Sequence, residues 1–220
     1  KHGDIFGFVM DTEGLSFPEA VEKLAGDAGL PMPKPDPQYE RVAKERLGLF
    51  EALEAAAAFF EEQLKSGAGR EALAYAERRG LSPATLKEFR IGFAPNSKDA
   101  LKGTLIKRGF SEAQLLDAGL VVKPDDGRAP YDRFRHRLTI PIADAKGRVI
   151  AFGARALDAA TEPKYLNSPE TRLFDKGSMV FNFARARNAA FDKSELIVVE
   201  GYMDVIALTQ AGFHHVVATL

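Results

Sequence analysis

The chain has 220 residues, of which 45% are apolar and 28% charged, a composition typical of a globular protein and not of a disordered or fibrous one. It contains no cysteine, which excludes disulfides and thiolate metal ligands within this sequence, and no apolar run approaches the ~18 residues of a membrane span. The 30 basic and 31 acidic side chains leave a net charge of −1, which by itself disfavours a nucleic-acid-binding protein.

The first half of the sequence predicts helices. An apolar run at 5–10 is followed by Ser16 and Glu19, which have the spacing of a capping box, so a helix is expected over 17–29. Four prolines within 31–37 predict a linker, because proline is excluded from helix interiors and central strands. Apolar spacing, polar N-caps and glycine stops predict further helices at 39–65, 71–79, 82–87, 99–108 and 111–118.

The second half of the sequence predicts strands. The apolar runs at 138–142 and 149–153 flank a turn at 144–147 and predict a β-hairpin. Further strands are expected at 120–122, 179–183, 196–199 and 216–218, with helices at 184–191 and 202–211. The run at 196–199 is typical of a strand buried on both faces, and it opens a β–α–β unit. The predicted fold class is therefore mixed α and β, with a helical first half.

The charge is unevenly distributed along the chain. Residues 128–187 hold 12 basic and 6 acidic side chains, a balance of +6, whereas 1–127 and 188–220 carry −4 and −3. A nearly neutral chain can therefore present a localised basic surface, which is what contact with a phosphate backbone requires. The β-rich part of the chain is thus the candidate for nucleic-acid binding.

The densest basic segment is RFRHR at 133–137. Read as a strand, it places Arg133, Arg135 and Arg137 on one face and Phe134 on the other. A solvated strand face above a core Phe134 explains the pattern equally well. Basic residues on neighbouring strands would extend the segment into a stripe; these are Arg148, Arg155 and Lys164.

The segment 163–171 is polar and bounded by prolines, and it is predicted to be neither helix nor strand. An ordinary surface loop is the simpler interpretation. The alternative is a loop that offers the Lys164 cation, the Tyr165 ring and the Asn167 amide to a nucleotide or nucleic-acid backbone.

Glu200 directly follows an apolar strand and precedes Gly201 and a predicted helix. In α/β sheets, ligands bind at the carboxyl ends of parallel strands, and glycine permits a sharp turn and close approach there. Asp204, in the first helical turn, can reach the same crevice, and paired carboxylates of this kind bind Mg²⁺ beside substrate phosphates. For Asp204 alone, a favourable interaction with the helix N-terminus is the simpler explanation, whereas the combination predicts a functional site.

Residues 196–205, LIVVEGYMDV, resemble the opening motif of the Toprim domain, a metal-binding α/β module of bacterial primases, several topoisomerases and some nucleases. Other segments resemble bacterial replicative DNA primases in their order and spacing, so that the resemblance covers the whole chain. These segments are HGDIFGF at 2–8, DRFR at 132–135, IPI at 140–142, GRVIAFGAR at 147–155 and KYLNSPET at 164–171.

The resemblance implies that Glu200 and Asp204 are catalytic residues and ligands of Mg²⁺ or Mn²⁺, with the remaining acidic ligands beyond Leu220. It implies Zn²⁺ in the full-length protein, bound by ligands before Lys1, so no zinc ligand is expected in this chain. Arg155 and Lys164 match basic positions that hold template or nucleotide phosphates. Further matches to motif positions expected to bind nucleic acid or nucleotide are Arg133, Arg137, Tyr165 and Asn167.

The resemblance also implies a domain organisation. It assigns 1–30 to the tail of a zinc-binding domain, 31–38 to a linker, 39–195 to the N-terminal subdomain of an RNA polymerase domain, and 196–220 to the start of a Toprim domain. The basic β-rich subdomain would thus lead into the first β–α–β unit of an α/β domain. Since the sequence starts without Met and both metal sites would be incomplete, we expect a fragment that is inactive as a polymerase by itself.

The implied function is that of a DNA primase, which synthesises short RNA primers on single-stranded DNA by Mg²⁺-dependent nucleotidyl transfer. The expected partners are the single-stranded template, ribonucleoside triphosphates, the RNA primer, the replicative helicase and single-strand-binding protein, with no membrane partner. We expect a monomer in the bacterial cytoplasm, at the nucleoid and replisome. Two alternatives remain: a Toprim topoisomerase or nuclease, and a non-catalytic single-strand-binding replisome module.

Overall fold

The computed structural model describes residues 4–13, 17–30, 37–158 and 160–220. The chain forms two compact units, 1–43 and 44–220. Among the helices of the described ranges, none combines the length and the apolar character of a membrane span.

Helices α1 (Ile5–Glu13) and α2 (Phe17–Asp27) lie in the first unit. The rings of Phe6 and Phe17 pack with centroids 5.6 Å apart, and Lys23 Nζ lies 2.5 Å from Glu13 Oε1. Helix α2 begins at Phe17 as the sequence predicts. The predicted capping residue Ser16 and residues 31–36 of the predicted linker lie outside the described residues.

Helix α3 (Pro37–Lys65) begins two residues earlier than the sequence predicts. Proline is tolerated at this position because the N–H groups of the first helical turn have no partner within the helix. The predicted apolar stripe of α3 is confirmed, since each of its five side chains is at most 5% exposed. These residues are Leu49, Leu53, Ala57, Phe60 and Leu64.

Four short helices follow α3, close to their predicted positions: α4 (Arg70–Arg78), α5 (Pro83–Glu88), α6 (Ala100–Lys107) and α7 (Glu112–Asp117). The Ser82 side chain caps α5 by accepting from the N–H of Thr85, and Ser111 and Gln114 form a capping box on α7. Gly109 and Gly119 follow α6 and α7 with φ of 99° and 68°, a conformation that favours glycine.

An antiparallel sheet packs against these helices. Its strands are β1 (Gly92–Ala94), β4 (Arg137–Ala143), β5 (Val149–Ala156) and β6 (Tyr165–Asn167), in the order β1-β4-β5-β6; β2 (Val121–Val122) and β3 (Tyr131–Asp132) form a separate ribbon. The pairing of β4 with β5 confirms the predicted hairpin, with Gly147 at φ 81° in its turn.

The prediction that 163–171 contains no strand was wrong. Residues 165–167 form β6, in which Asn167 pairs with Gly153 and Tyr165 with Arg155. The segment pairs with β5 because the backbone N–H and C=O groups at the edge of β5 need hydrogen-bond partners. The polar composition of the segment gives no sign of this pairing.

The strand interpretation of 133–137 was also wrong. His136 has a φ of 51°, which interrupts extended structure, and β4 begins only at Arg137. The three arginines of this segment therefore do not share a strand face. Phe134 is 2% exposed and packs near the rings of Phe60 and Phe152, which confirms its predicted place in the core.

The C-terminal part forms a three-stranded sheet with the strand order β7-β9-β8. Its elements are β7 (Val180–Phe181), α8 (Phe183–Lys193), β8 (Ile197–Val199), α9 (Tyr202–Gln210) and β9 (Val216–Thr219). Strands β8 and β9 are parallel and α9 connects them, so the predicted β–α–β unit and the mixed fold class are confirmed.

The predicted burial of β8 on both faces is not observed. Leu196 and Val198 are 51% and 59% exposed. These two side chains point to the same face of the run, and that face is largely uncovered in the part of the chain that the structure describes.

Candidate functional site

A cleft of about 380 Å³ opens where β8 ends and α9 begins. Its walls come from segments that are distant in sequence, namely the end of α4, strand β6, the N-terminus of α9 and the end of β9. The lining residues that could act on a ligand are Arg79, Tyr165, Asn167, Glu200, Tyr202 and Asp204. The cleft thus brings together four residues that the sequence singles out as site candidates: Tyr165, Asn167, Glu200 and Asp204.

Glu200 and Asp204 form the acidic part of the cleft. Both side chains are exposed, and a Cβ atom added to Gly201 would lie 2.9 Å from Asp204 Oδ2, so this carboxylate reaches back over Gly201. Partial positive charge at the N-terminus of α9 favours a carboxylate in this position. Among the described residues, no hydrogen bond or ion pair engages the Glu200 or Asp204 side chain, and both are therefore available to a ligand.

Tyr202 joins α9 to the antiparallel sheet. Its O–H donates to Asn167 Oδ1 at 2.9 Å, and its ring lies so close to Gly153 that a Cβ there would be 2.7 Å from Tyr202 Cε2. The side chain is 6% exposed, and burial raises the pKa of Tyr202 to about 12. The acidic end of α9 is therefore anchored directly on strands β5 and β6.

Arg155 extends from β5 between two tyrosines and is only 7% exposed. Its Nε donates to the Tyr75 hydroxyl and its Nη1 to the Tyr165 hydroxyl. The guanidinium carbon lies 4.8 Å from the Tyr165 ring centroid and 5.8 Å from that of Tyr75. Arg155 thus holds the Tyr165 side chain, which remains 39% exposed at the cleft.

Arg133 and Arg137 bind the backbone of the 163–167 segment. The Nε and Nη2 of Arg133 donate to the Asn167 carbonyl at 3.0 and 2.8 Å, and burial lowers the pKa of Arg133. Arg137 Nη1 donates to the Pro163 carbonyl at 2.7 Å, and this residue is 5% exposed. Lys164 lies between these two anchored points with an exposed side chain, outside the residues that line the cleft.

Two arginines of the predicted basic stripe have intramolecular partners. Arg148 pairs with Asp144 at 2.7 Å and covers the Phe50 ring at 3.9 Å. Arg135 donates to the Asp132 carbonyl at 2.6 Å. Both guanidinium groups are thus held by partners within the protein. The spacing of arginines along the sequence does not reveal these partners.

Two residues near the site were missed from the sequence, Arg79 and Tyr75. Arg79 caps the C-terminus of α4 with its backbone, and its exposed side chain lines the cleft. A basic residue at a helix C-terminus is common for electrostatic reasons, so no local signal distinguishes Arg79 from Arg78. Tyr75 is recognisable only through its contact with Arg155, which is 80 residues away in sequence.

The carboxylates of the cleft fit a divalent cation that takes its remaining ligands from water and substrate. Within the described residues, no group of three or more His, Asp and Glu side chains could hold a metal ion. Glu200 and Asp204 supply oxygen donors, and Mg²⁺ commonly binds through one or two carboxylates together with water and substrate phosphates.

The chain matches known proteins along most of its length. Residues 59–187 match the family model of the DNA primase catalytic core, N-terminal domain, and residues 194–220 match the Toprim domain. The DNA primase of Pseudomonas putida is 42% identical over 221 residues, which cover 99% of this chain and 33% of that protein. The chain spans about a third of the length of the curated relatives it matches.

Solved primase structures share the fold. The RNA polymerase domain of Mycobacterium tuberculosis primase DnaG, in complex with a double-stranded DNA oligomer with a 6-nucleotide overhang, gives a TM-score of 0.73 at 40% identity, covering 78% of this chain and 54% of that chain. A DnaG primase catalytic domain bound to ssDNA gives a TM-score of 0.70 at 42% identity, covering 81% and 55%. Because the catalytic-core model matches more than half of the sequence and a Toprim match follows it, the chain belongs to the bacterial DNA primase family.

Proposed function

We propose that this chain is part of a DNA primase that synthesises short RNA primers on single-stranded DNA. The observation that carries the proposal is the cleft in which Glu200 and Asp204 lie with Arg79 and Tyr165. The family match supports the reaction class, and the primase structures solved with DNA support the template. In this reaction the 3′-hydroxyl oxygen attacks the α-phosphorus of a ribonucleoside triphosphate, and the bond to pyrophosphate breaks.

Glu200 and Asp204 would hold Mg²⁺, or Mn²⁺ in its place. Both carboxylates are exposed at the cleft, and Asp204 Oδ2 lies over Gly201, where the absence of a side chain leaves space for this carboxylate. The bound metal would offset the negative charge that develops on the phosphoryl oxygens. The two side chains supply only part of a coordination sphere, so phosphate oxygens and water would supply the remainder.

Arg79 and Lys164 are the cations that would contact template or nucleotide phosphates. Both side chains are exposed, and Arg79 shares the cleft with the acidic residues. An arginine fork can bind two phosphate oxygens at once, whereas a lysine acts as a point charge. The exposed ring of Tyr165, held by Arg155, offers a surface on which a base can stack.

Arg133, Arg137 and Asn167 would serve binding by shaping the 163–167 segment. The two arginines donate to carbonyls at either end of the segment, and Asn167 accepts from Tyr202. Arg133 uses two of its guanidinium nitrogens in these bonds and Arg137 uses one, so both side chains are partly engaged within the protein. Asn167 also lines the cleft, where the resemblance implies that it contacts a ligand.

The wider assignments rest on the family resemblance. They are a zinc-binding domain ending near residue 30, a linker at 31–38, a polymerase subdomain at 39–195 and a Toprim domain from 196 onward. They include Zn²⁺ in the complete protein, the RNA primer as product, and the replicative helicase and single-strand-binding protein as partners at the nucleoid. A monomer remains the expected state.

The test is synthesis by the complete protein that carries this chain. With single-stranded DNA, labelled ribonucleotides and Mg²⁺, we expect short RNA products complementary to the template, and none when the template is omitted. Cleavage or relaxation of DNA without RNA synthesis would favour the Toprim topoisomerase or nuclease. Tight template binding without synthesis would favour the non-catalytic binding module.

A further inference from the structure

Gln210, the last residue of α9, makes three hydrogen bonds to the turn that joins α4 to α5. Its Oε1 accepts from the N–H of Ser82 at 3.0 Å and from the hydroxyl of Thr85 at 2.5 Å. Its Nε2 donates to the Gly80 carbonyl at 2.8 Å. The carboxamide thus uses both its donor and its acceptor on one short segment that is more than 120 residues away in sequence.

The turn that Gln210 contacts is held by hydrogen bonds of its own. Ser82 caps α5 through the N–H of Thr85, and the hydroxyls of Ser82 and Thr85 lie 2.8 Å apart. Thr85 is 4% exposed, and Gly80 has a φ of 77° that favours glycine. Gln210 itself is exposed, and ordering a glutamine side chain costs conformational entropy. Three hydrogen bonds to a preformed turn offset this cost.

The two segments that Gln210 connects lead directly to the cleft. Helix α9 begins just after Glu200 and carries Asp204, while Arg79 immediately precedes the Gly80–Thr85 turn. Tyr202 attaches the other end of α9 to Asn167. Helix α9 is thus bonded at its start to β6 and at its end to the turn that follows Arg79.

We propose that Gln210 is a positioning residue, which sets the acidic residues at the start of α9 at a fixed separation from Arg79. This inference rests on the proposed function, because it assigns Gln210 to the same reaction. Gln210 lies at the opposite end of α9 from the acidic residues and acts on the reacting groups through the helix.

The test is Gln210→Ala in the complete protein. We expect kcat/KM for template-directed ribonucleotide incorporation to fall about tenfold, since even a ~1 Å misplacement can cost ~100-fold, and the Mg²⁺ concentration for half-maximal rate to rise. Hydrogen exchange at the Ser82 amide should become faster, because its acceptor is removed.

Gln114→Ala is the matched control. Gln114 accepts from the Ser111 N–H at 2.9 Å in the capping box of α7, so its loss also removes a glutamine contact to the backbone. We expect this variant to keep the wild-type Mg²⁺ dependence and Ser82 exchange. Thr85→Val removes the bond to Gln210 together with the contact between the Thr85 and Ser82 hydroxyls. In a double-mutant cycle, only the part of its effect that depends on Gln210 should vanish when Gln210→Ala is already present.

Different results would overturn the positioning role of Gln210 and the proposed function. Wild-type synthesis with an unchanged rate and Mg²⁺ dependence in Gln210→Ala would overturn the positioning role. Equal effects of Gln210→Ala and Gln114→Ala on both quantities would overturn it too, because they would reflect lost stability alone. A wild type that makes no RNA would overturn the proposed function, and this proposal with it.

Discussion

The hydroxyl of Tyr202 donates to Oδ1 of Asn167 at 2.9 Å and joins the start of α9 to edge strand β6. The two residues are 35 positions apart and both line the cleft. Glu200 and Asp204 flank Tyr202, while Tyr165 and Lys164 lie close to Asn167. This hydrogen bond therefore connects the acidic part of the site with the segment proposed to bind nucleic acid.

The buried phenol of Tyr202 predicts a loss of stability at alkaline pH. Burial raises its pKa from 10.0 to about 12, so the folded protein holds this proton more tightly than the unfolded chain does. The resulting contribution is fully present below pH 10 and is lost as the pH rises from 10 to 12. Over this window, wild type should lose about 2–3 kcal/mol more unfolding free energy than Tyr202→Phe, as measured by urea unfolding. Parallel pH profiles of the two proteins would contradict this account.

The contact between Gly153 and Tyr202 predicts that a methyl group is not tolerated there. A Cβ at residue 153 would lie 2.7 Å from the Tyr202 ring, and the ring has little room to move because it is buried. Gly153→Ala should lower the free energy of unfolding by about 1–3 kcal/mol. Gly103→Ala is the control, since no atom lies within 4 Å of its added Cβ in helix α6, and it should stabilise by about 0.5–1 kcal/mol. Equal stabilities of the two variants would refute the steric argument.

Asp132 acts as the cap of helix α6 although it lies on β3. Its carboxylate accepts from the N–H groups of Leu101 and Lys102 at 2.8 and 2.9 Å, whereas Asp99, at the N-cap position, makes no such bond. Asp132→Asn retains one oxygen for two donors, and we expect it to cost about 1–3 kcal/mol of unfolding free energy. Asp99→Ala should cost less than about 0.5 kcal/mol. The reverse order of these two costs would show that Asp99 is the functional cap.

The pattern of local signals explains which parts of the fold could be predicted. The caps at Ser82 and Ser111 and the turn at Gly147 depend on contacts within a few residues, so the helices and the β4–β5 hairpin were predicted correctly. Strand β6 and the path of 133–137 depend on pairing with β5 and on bonds such as Arg137 to Pro163, 26 residues away. The composition of a segment does not indicate partners that are distant in sequence. Both predictions failed for this reason.

The site also combines residues that a local motif predicts with residues that only the fold brings together. Glu200, Gly201 and Asp204 form a short motif at the end of a strand, so the acidic part could be proposed from sequence. Arg79 and Gln210 become recognisable only when the fold brings them to the cleft and to the α4–α5 turn. The engagement of Arg155 with two tyrosines is likewise invisible in the sequence, because Tyr75 is 80 residues distant.

The proposed phosphate contacts predict a salt-dependent affinity for single-stranded DNA. Each phosphate contact contributes about −0.7 to the slope of log affinity against log salt, so Arg79 and Lys164 should together contribute about −1.4. Replacing Arg79 and Lys164 with Ala should reduce the magnitude of this slope by about 1.4. The double variant Lys107→Ala with Lys146→Ala removes the same charge from exposed positions outside the cleft and should leave the slope nearly unchanged. Equal slopes for the two double variants would remove Arg79 and Lys164 from the binding surface.

The place of Glu200 in the reacting centre is tested by its conversion to Gln. In the complete protein, Glu200→Gln should reduce primer synthesis at saturating template by about 100-fold or more, with template affinity within about threefold of wild type. Glu195→Gln removes the same charge from the opposite end of β8, outside the cleft, and should synthesise RNA at the wild-type rate. Undiminished synthesis by Glu200→Gln would exclude Glu200 from the reacting centre.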